Sequence, residues 1–226
     1  MTKYLWLAKI LLATSLVVPL LAGPGHASPG EFAIARLKYR GGGDWYTDPT
    51  SMPNLLREVE RTLGVKAARD EARISIMDES LFNYPFLYMT GHGAVEFSDE
   101  EAARLRLYLT SGGFLWADDC YGMDQTFRRE LRKVFPDAEL VELPFSHEIY
   151  SIAYGFPQGL PKVHEHAGGP PHGYGMVYQG RLVVFYSFNT DIGDGLEDAD
   201  VHQDPAQIRQ AAMDMATNIV AYALTH

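Results

Sequence analysis

Apolar residues in this chain follow two rhythms. Short uncharged runs alternate with longer stretches in which apolar positions recur every three or four residues. FAIARLKY at 32–39 predicts a first strand, and RISIM at 73–77 a short one. PFLYMTG at 85–91 carries no charge, as expected of a strand covered on both faces. FLWA at 114–117 repeats that character, and AELVELP at 138–144 reads as a further strand. GYGMVYQGRLVVFYSF at 173–188 predicts a hairpin turning at Gln179 and Gly180. The helical rhythm first appears in NLLREVERTLG, which places Leu55, Leu56, Val59 and Leu63 on one face and stops at Gly64. SDEEAARLRLYLTSGG opens with Ser98 and has Glu101 three positions on, the pattern of a capping box. DQTFRRELRKVF at 124–135 predicts the next helix, and 205–224 the last, with Pro205 in its first turn. Strands alternating with helices at this spacing imply an α/β three-layer sandwich around a mostly parallel central sheet. Ligands in such sheets sit beyond the carboxyl ends of the strands. TGHG, DDCYG and NTDIGDG each follow a predicted strand, so their polar residues are expected on one rim.

The first residues break the pattern. Lys3 and Lys9 precede or flank an uncharged run, and Gly25 and Ala27 supply small residues at signal-peptidase spacing. We read 1–27 as a cleaved secretory signal and 28–226 as a single domain that is exported, periplasmic or extracellular. The uncharged run is shorter than the roughly 20 residues a spanning helix needs, so no stable membrane span is expected after cleavage. Without 1–27 the chain holds 17 basic and 29 acidic residues, a formal charge of −12. That balance excludes nucleic acid as an expected partner, because its binding depends on neutralising phosphates. A single cysteine excludes an intrachain disulfide, so stability must come from the core.

Several segments taken together are specific: YPFLYMTGHG, LTSGGFLWADDCYG, FRRELRKVFPD, LPFSHEIY and DIGDGLED. With them the chain resembles a bacterial family of unknown function, number 4159, over about 32–224. The resemblance implies a class I glutamine amidotransferase-like, flavodoxin-like plan, and no activity. In the amidotransferases the nucleophile sits in G-x-C-x-G, and a triad is completed by H-x-E. Here Asp118 stands where the first glycine belongs, and no H-x-E triplet occurs. Two acids immediately before Cys120 oppose formation of a thiolate. Amidotransferase activity is therefore not expected, although Cys120 remains a candidate by position.

The acids and histidines offer other chemistry. Adjacent residues of a strand point to opposite faces, so one of Asp118 and Asp119 can meet a ligand while the other caps the next helix. His92 lies between two glycines just past a strand, where backbone can approach a ligand. In VHEHAGGPPHG an extended segment would put His164 and His166 on one face, half of a site for a divalent metal ion, with His172 or His147 to complete it. Asn189, Asp191 and Asp194 follow the hairpin strand, at a position suited to ligand binding. Two functions are compatible with this set. The first is an exported domain that binds a small polar ligand, a carbohydrate or a metal, with Trp45, Tyr121 and Tyr150 available to stack on sugars. The second is a hydrolase in which His92 or His147 acts as base, oriented by Asp118 or Asp119, with or without a metal. Docking to an envelope protein partner is a third use of the same surface.

Overall fold

The computed structural model describes residues 30–166 and 168–226. The expected signal at 1–27 lies outside the described residues. Seven strands form one sheet in the order β2-β1-β3-β4-β7-β6-β5. They are β1 (Ile34–Lys38), β2 (Ala72–Ser75), β3 (Phe86–His92), β4 (Phe114–Tyr121), β5 (Val141–Glu142), β6 (His172–Tyr178) and β7 (Arg181–Phe188). From β2 to β7 the pairings are parallel, and β6 and β5 add an antiparallel edge. The helices are α1 (Ser51–Leu63), α2 (Asp99–Thr110), α3 (Asp124–Val134), a single turn α4 (Ile192–Gly195) and α5 (Ala206–Thr225). Among the described residues no helix is long and apolar enough to cross a membrane.

The period-2 alternation of the central strands builds two cores. Phe86, Tyr88, Phe114, Trp116 and Phe185 pack with Leu55, Leu56 and Val59 of α1 and with Met215, Ile219 and Val220 of α5. Leu87, Met89, Leu115, Ala117 and Val184 pack with Leu105 and Leu109 of α2 and with Phe127 and Leu131 of α3. Helices thus cover both faces, which explains why the middle strands read as continuous apolar runs. The predicted capping box is formed: Glu101 N–H donates to Ser98 Oγ at 3.1 Å, and Ser98 N–H donates to Glu101 Oε2 at 2.7 Å. The hairpin turns at Gln179 and Gly180, both with positive φ (50° and 83°), as a two-residue primed turn requires.

Three elements differ from expectation. β4 does not end at Ala117 but continues through Tyr121, so the two acids and the cysteine lie inside the strand. Its neighbour β3 supplies the reason, since Asp118 pairs with Thr90 and Asp119 with Gly91 in parallel register. The strand expected over 138–144 shrinks to Val141–Glu142, at the outer edge of the sheet. α1 starts at Ser51, three residues earlier than its apolar face suggests, because Pro53 fits a first helical turn.

Chain order places the site. From β1 the chain runs through α1 to β2 on one side, whereas β3 leads through α2 to β4 on the other. The strand order therefore reverses between β1 and β3, which opens a crevice beyond their carboxyl ends. The segments after β1, β3, β4 and β7 all reach this rim.

Candidate metal centre at the sheet rim

Four aspartates, Asp48, Asp118, Asp191 and Asp194, are buried together at the carboxyl-end rim of the sheet. Each is fixed by a different device. Asp48 sits in the loop after β1, which the fully buried Arg36 holds from inside: its guanidinium donates to the carbonyls of Thr47 (2.7 Å) and Asp48 (2.9 Å). The charge of Arg36 is matched by buried Glu71, whose carboxylate takes Nε at 2.8 Å. Asp118, inside β4, accepts from Gly193 N–H at 2.6 Å and from Ser187 Oγ. Asp191 follows β7 with φ +60°, a left-handed conformation that aspartate tolerates better than most residues. Asp194 lies in the turn of α4 that follows.

Asp118 and Asp119 do point to opposite faces. Asp119 accepts from Met123 N–H at 3.1 Å, on the residue that precedes α3, and so orders the entry to that helix without capping it, while Asp118 faces the other aspartates. Burial is the main cause that pushes Asp118 up to about 7, against the two hydrogen bonds it accepts, and Asp48 and Asp194 add to it. Burial and then Asp194 raise Asp48 to about 7 as well. Asp119 is raised to about 6, first by burial. Asp191 is raised furthest, by burial and then by Asp194 and Asp118. So much negative charge out of water is costly unless it is protonated or matched by cations.

Histidines meet this cluster from a segment that hydrogen bonds pin to the residues just after β7. Val163 N–H donates to Thr190 O at 2.9 Å, and Lys162 Nζ donates to Asn189 O at 2.8 Å and Oδ1 at 2.6 Å. Asn189 therefore holds the histidine-bearing segment in place. His164 Nδ1 lies 2.8 Å from Asp194 Oδ2 and 3.9 Å from Asp191 Oδ2. Its Nε2 lies 3.0 Å from both oxygens of Asp204, which fixes the ring. His166 Nε2 lies 2.7 Å from Asp191 Oδ2. One ligating atom from each of His164, His166, Asp191 and Asp194 falls within 4.8 Å of the others. Two ligands on a shell of about 2.0–2.1 Å stand about 3.3 Å apart at the tetrahedral angle, so these spacings suit one ion after small side-chain adjustments. Asp191 Oδ1 and Asp194 Oδ1 are buried and have no hydrogen-bond partner among the described residues.

The family model described as domain of unknown function (DUF4159) matches residues 33–224. The chain belongs to the DUF4159 family. No curated protein matches it in sequence. The match spans the rim from the loop after β1 to α5, so every residue named above belongs to the DUF4159 domain.

The remaining sequence candidates divide. His92 is at the rim: its Nδ1 lies 3.1 Å from Asp44 Oδ2, and its ring meets that of His166 at 5.9 Å. Its orienting acid is thus Asp44, where Asp118 or Asp119 was expected. Tyr121 is exposed beside His166 at 5.7 Å. His147 is elsewhere; its Nδ1 accepts from Ile149 N–H and its ring rests on Tyr222, as a cap of a short turn. His172 pairs with Glu142 at 2.8 Å on the antiparallel edge, and so does not complete a set with His164 and His166. Tyr150 is buried in the core and has no face to offer a sugar. Cys120 is buried, 3.1 Å from Thr90 Oγ1 and 3.9 Å from Asp48 Oδ2. Burial and the surrounding aspartates push its thiol well above the usual range, the opposite of what a nucleophile needs.

Sequence reasoning missed Asp44, Asp48, His202 and Asp204. The first two lie in GGGDWYTDPT, which reads as a turn-rich loop. The signal was present, because that loop follows a parallel strand and the rim rule applies to it equally. His202 lies 3.8 Å from Asp194 Oδ2 in the acidic loop before α5.

Proposed function

We propose that this DUF4159 domain is exported and binds a divalent transition-metal ion through His164, His166, Asp191 and Asp194. The convergence of these four side chains, with the second oxygen of each aspartate buried and lacking a hydrogen-bond partner among the described residues, carries the reading. Two imidazoles with two carboxylates favour zinc, iron, nickel or manganese over calcium or magnesium, which take all-oxygen sets. The Asp204–His164 contact supports it further, since metal-bound histidines commonly give their second N–H to a carboxylate. The metal would also offset charge that burial makes costly in the free protein.

Calorimetric titration of chelator-stripped protein with zinc tests the proposal. Wild-type protein should take up zinc, and His164→Ala, His166→Ala and Asp191→Asn should each weaken uptake at least tenfold. Folded wild-type protein that takes up none would end it.

A hydrolytic role for the same centre is favoured by one observation. The Asp44–His92 pair stands beside His166, with Nε2 of His92 left for a proton. An open groove of ≈ 430 Å³ adjoins it, lined by Asp119, Tyr121, Gly122 and Asn189 among others. Loss of hydrolysis of a responsive ester in His92→Ala, with metal uptake intact, would support that role.

A further inference from the structure

We propose that the centre is binuclear, with Asp194 shared between the ion above and a second divalent ion held by Asp48 and His202. This rests on the metal reading and extends it to residues from the loop after β1 and the loop before α5. One ligating atom from each of Asp48, Asp194 and His202 lies within 4.8 Å of the other two. Asp194 belongs to both clusters and has two oxygens. His164 and His202 both approach Oδ2, at 2.8 Å and 3.8 Å, and Oδ1 is buried without a hydrogen-bond partner among the described residues.

An independent observation marks the same space. Tyr88 is fully buried, and its hydroxyl has no hydrogen-bond partner. That hydroxyl, Asp48 Oδ2 and Asp118 Oδ2 surround the position a Cβ would occupy at Gly193. The two carboxylate oxygens are 3.0 Å and 3.2 Å from it. Only glycine fits at 193, because a Cβ there would collide with the Tyr88 hydroxyl and press on both carboxylates, so an orphaned hydroxyl and two carboxylates converge on this turn. Two ions sharing a carboxylate are a familiar arrangement for displacements at phosphorus or carbonyl carbon. The second ion therefore assigns the centre to the hydrolytic class more strongly than a single ion does.

Manganese stoichiometry decides it. Chelator-stripped protein, equilibrated with Mn²⁺ and desalted, should retain two ions per chain and show an exchange-coupled electron paramagnetic resonance signal. Asp48→Asn and His202→Ala should each retain one and lose the coupling. His202 is partly exposed and Asp48 is anchored through its backbone carbonyl, so both variants should keep the wild-type circular dichroism spectrum. One ion in the wild type overturns the binuclear assignment and leaves the first site standing. No ion overturns both. Two ions in wild type and in both variants would show that Asp48 and His202 are not ligands.

Discussion

Replacing Asp118 by asparagine should stabilise the metal-free protein, about three times as much at pH 8 as at pH 5. Asp118 is fully buried, and its carboxyl is raised to about 7, chiefly by burial. A folded-state value above the unfolded one means that the folded protein holds the proton more tightly. The associated stability is present below the unfolded value near 4 and is lost as pH rises through about 7. At about 1.4 kcal/mol for each tenfold in acid constant, ionised Asp118 costs about 4 kcal/mol at pH 8. Asp48 and Asp194 share part of that cost, so removing one charge should recover about 2–4 kcal/mol, or about 4–16 °C in Tm for a domain of this size. The amide suits the site sterically, with an acceptor for Gly193 N–H and a donor for Ser187 Oγ. Thermal unfolding in chelator, wild type against Asp118→Asn across pH 5–8, is the assay. Parallel curves for the two proteins would refute the idea that buried carboxylate charge dominates the stability of the rim.

Zinc should reverse this pH trend in the wild type, raising Tm more at pH 8 than at pH 5, because protons compete for the same imidazoles and carboxylates; a shift independent of pH would count against these ligands. Arg36→Met should cost up to about 3 kcal/mol, since it leaves buried Glu71 with only the part-exposed Arg73 as partner, and should weaken metal uptake by loosening the loop that carries Asp48; chemical denaturation and titration read the two effects. Ser98→Ala should cost about 1 kcal/mol through loss of the α2 cap, with uptake unchanged. Cys120 should resist alkylation in folded protein at pH 8 and react at once in denaturant; rapid labelling of the native state would show the thiol to be activated.

The architecture was legible because burial on both faces leaves a strong mark on sequence. PFLYMTG and FLWA carry no charge for that reason, and the Ser98–Glu101 box is a local hydrogen-bond pattern readable from two residues. The strand through Asp118 and Asp119 was not, because adjacent charges normally end a strand. Here β3 pairs with them, and each carboxylate finds a donor. At the site, the rim rule found His92, Asp118, Asp191 and Asp194, and the one-face argument found His164 and His166. It failed for His147, whose ring packs on Tyr222 far along the chain, a contact no local pattern encodes. Asp48 was hidden for a related reason. Its placement depends on Arg36, a charge inside an apolar strand that anchors the loop from below.

The most direct measurement is the zinc K-edge absorption spectrum of protein loaded with one equivalent of zinc. The account predicts a shell of nitrogen and oxygen at about 2.0–2.1 Å with the outer scattering of two imidazoles, and loss of one imidazole in His166→Ala. Sulfur in the shell would place the ion on Cys120, and a shell without imidazole would place it away from His164 and His166. Either result would contradict the site described.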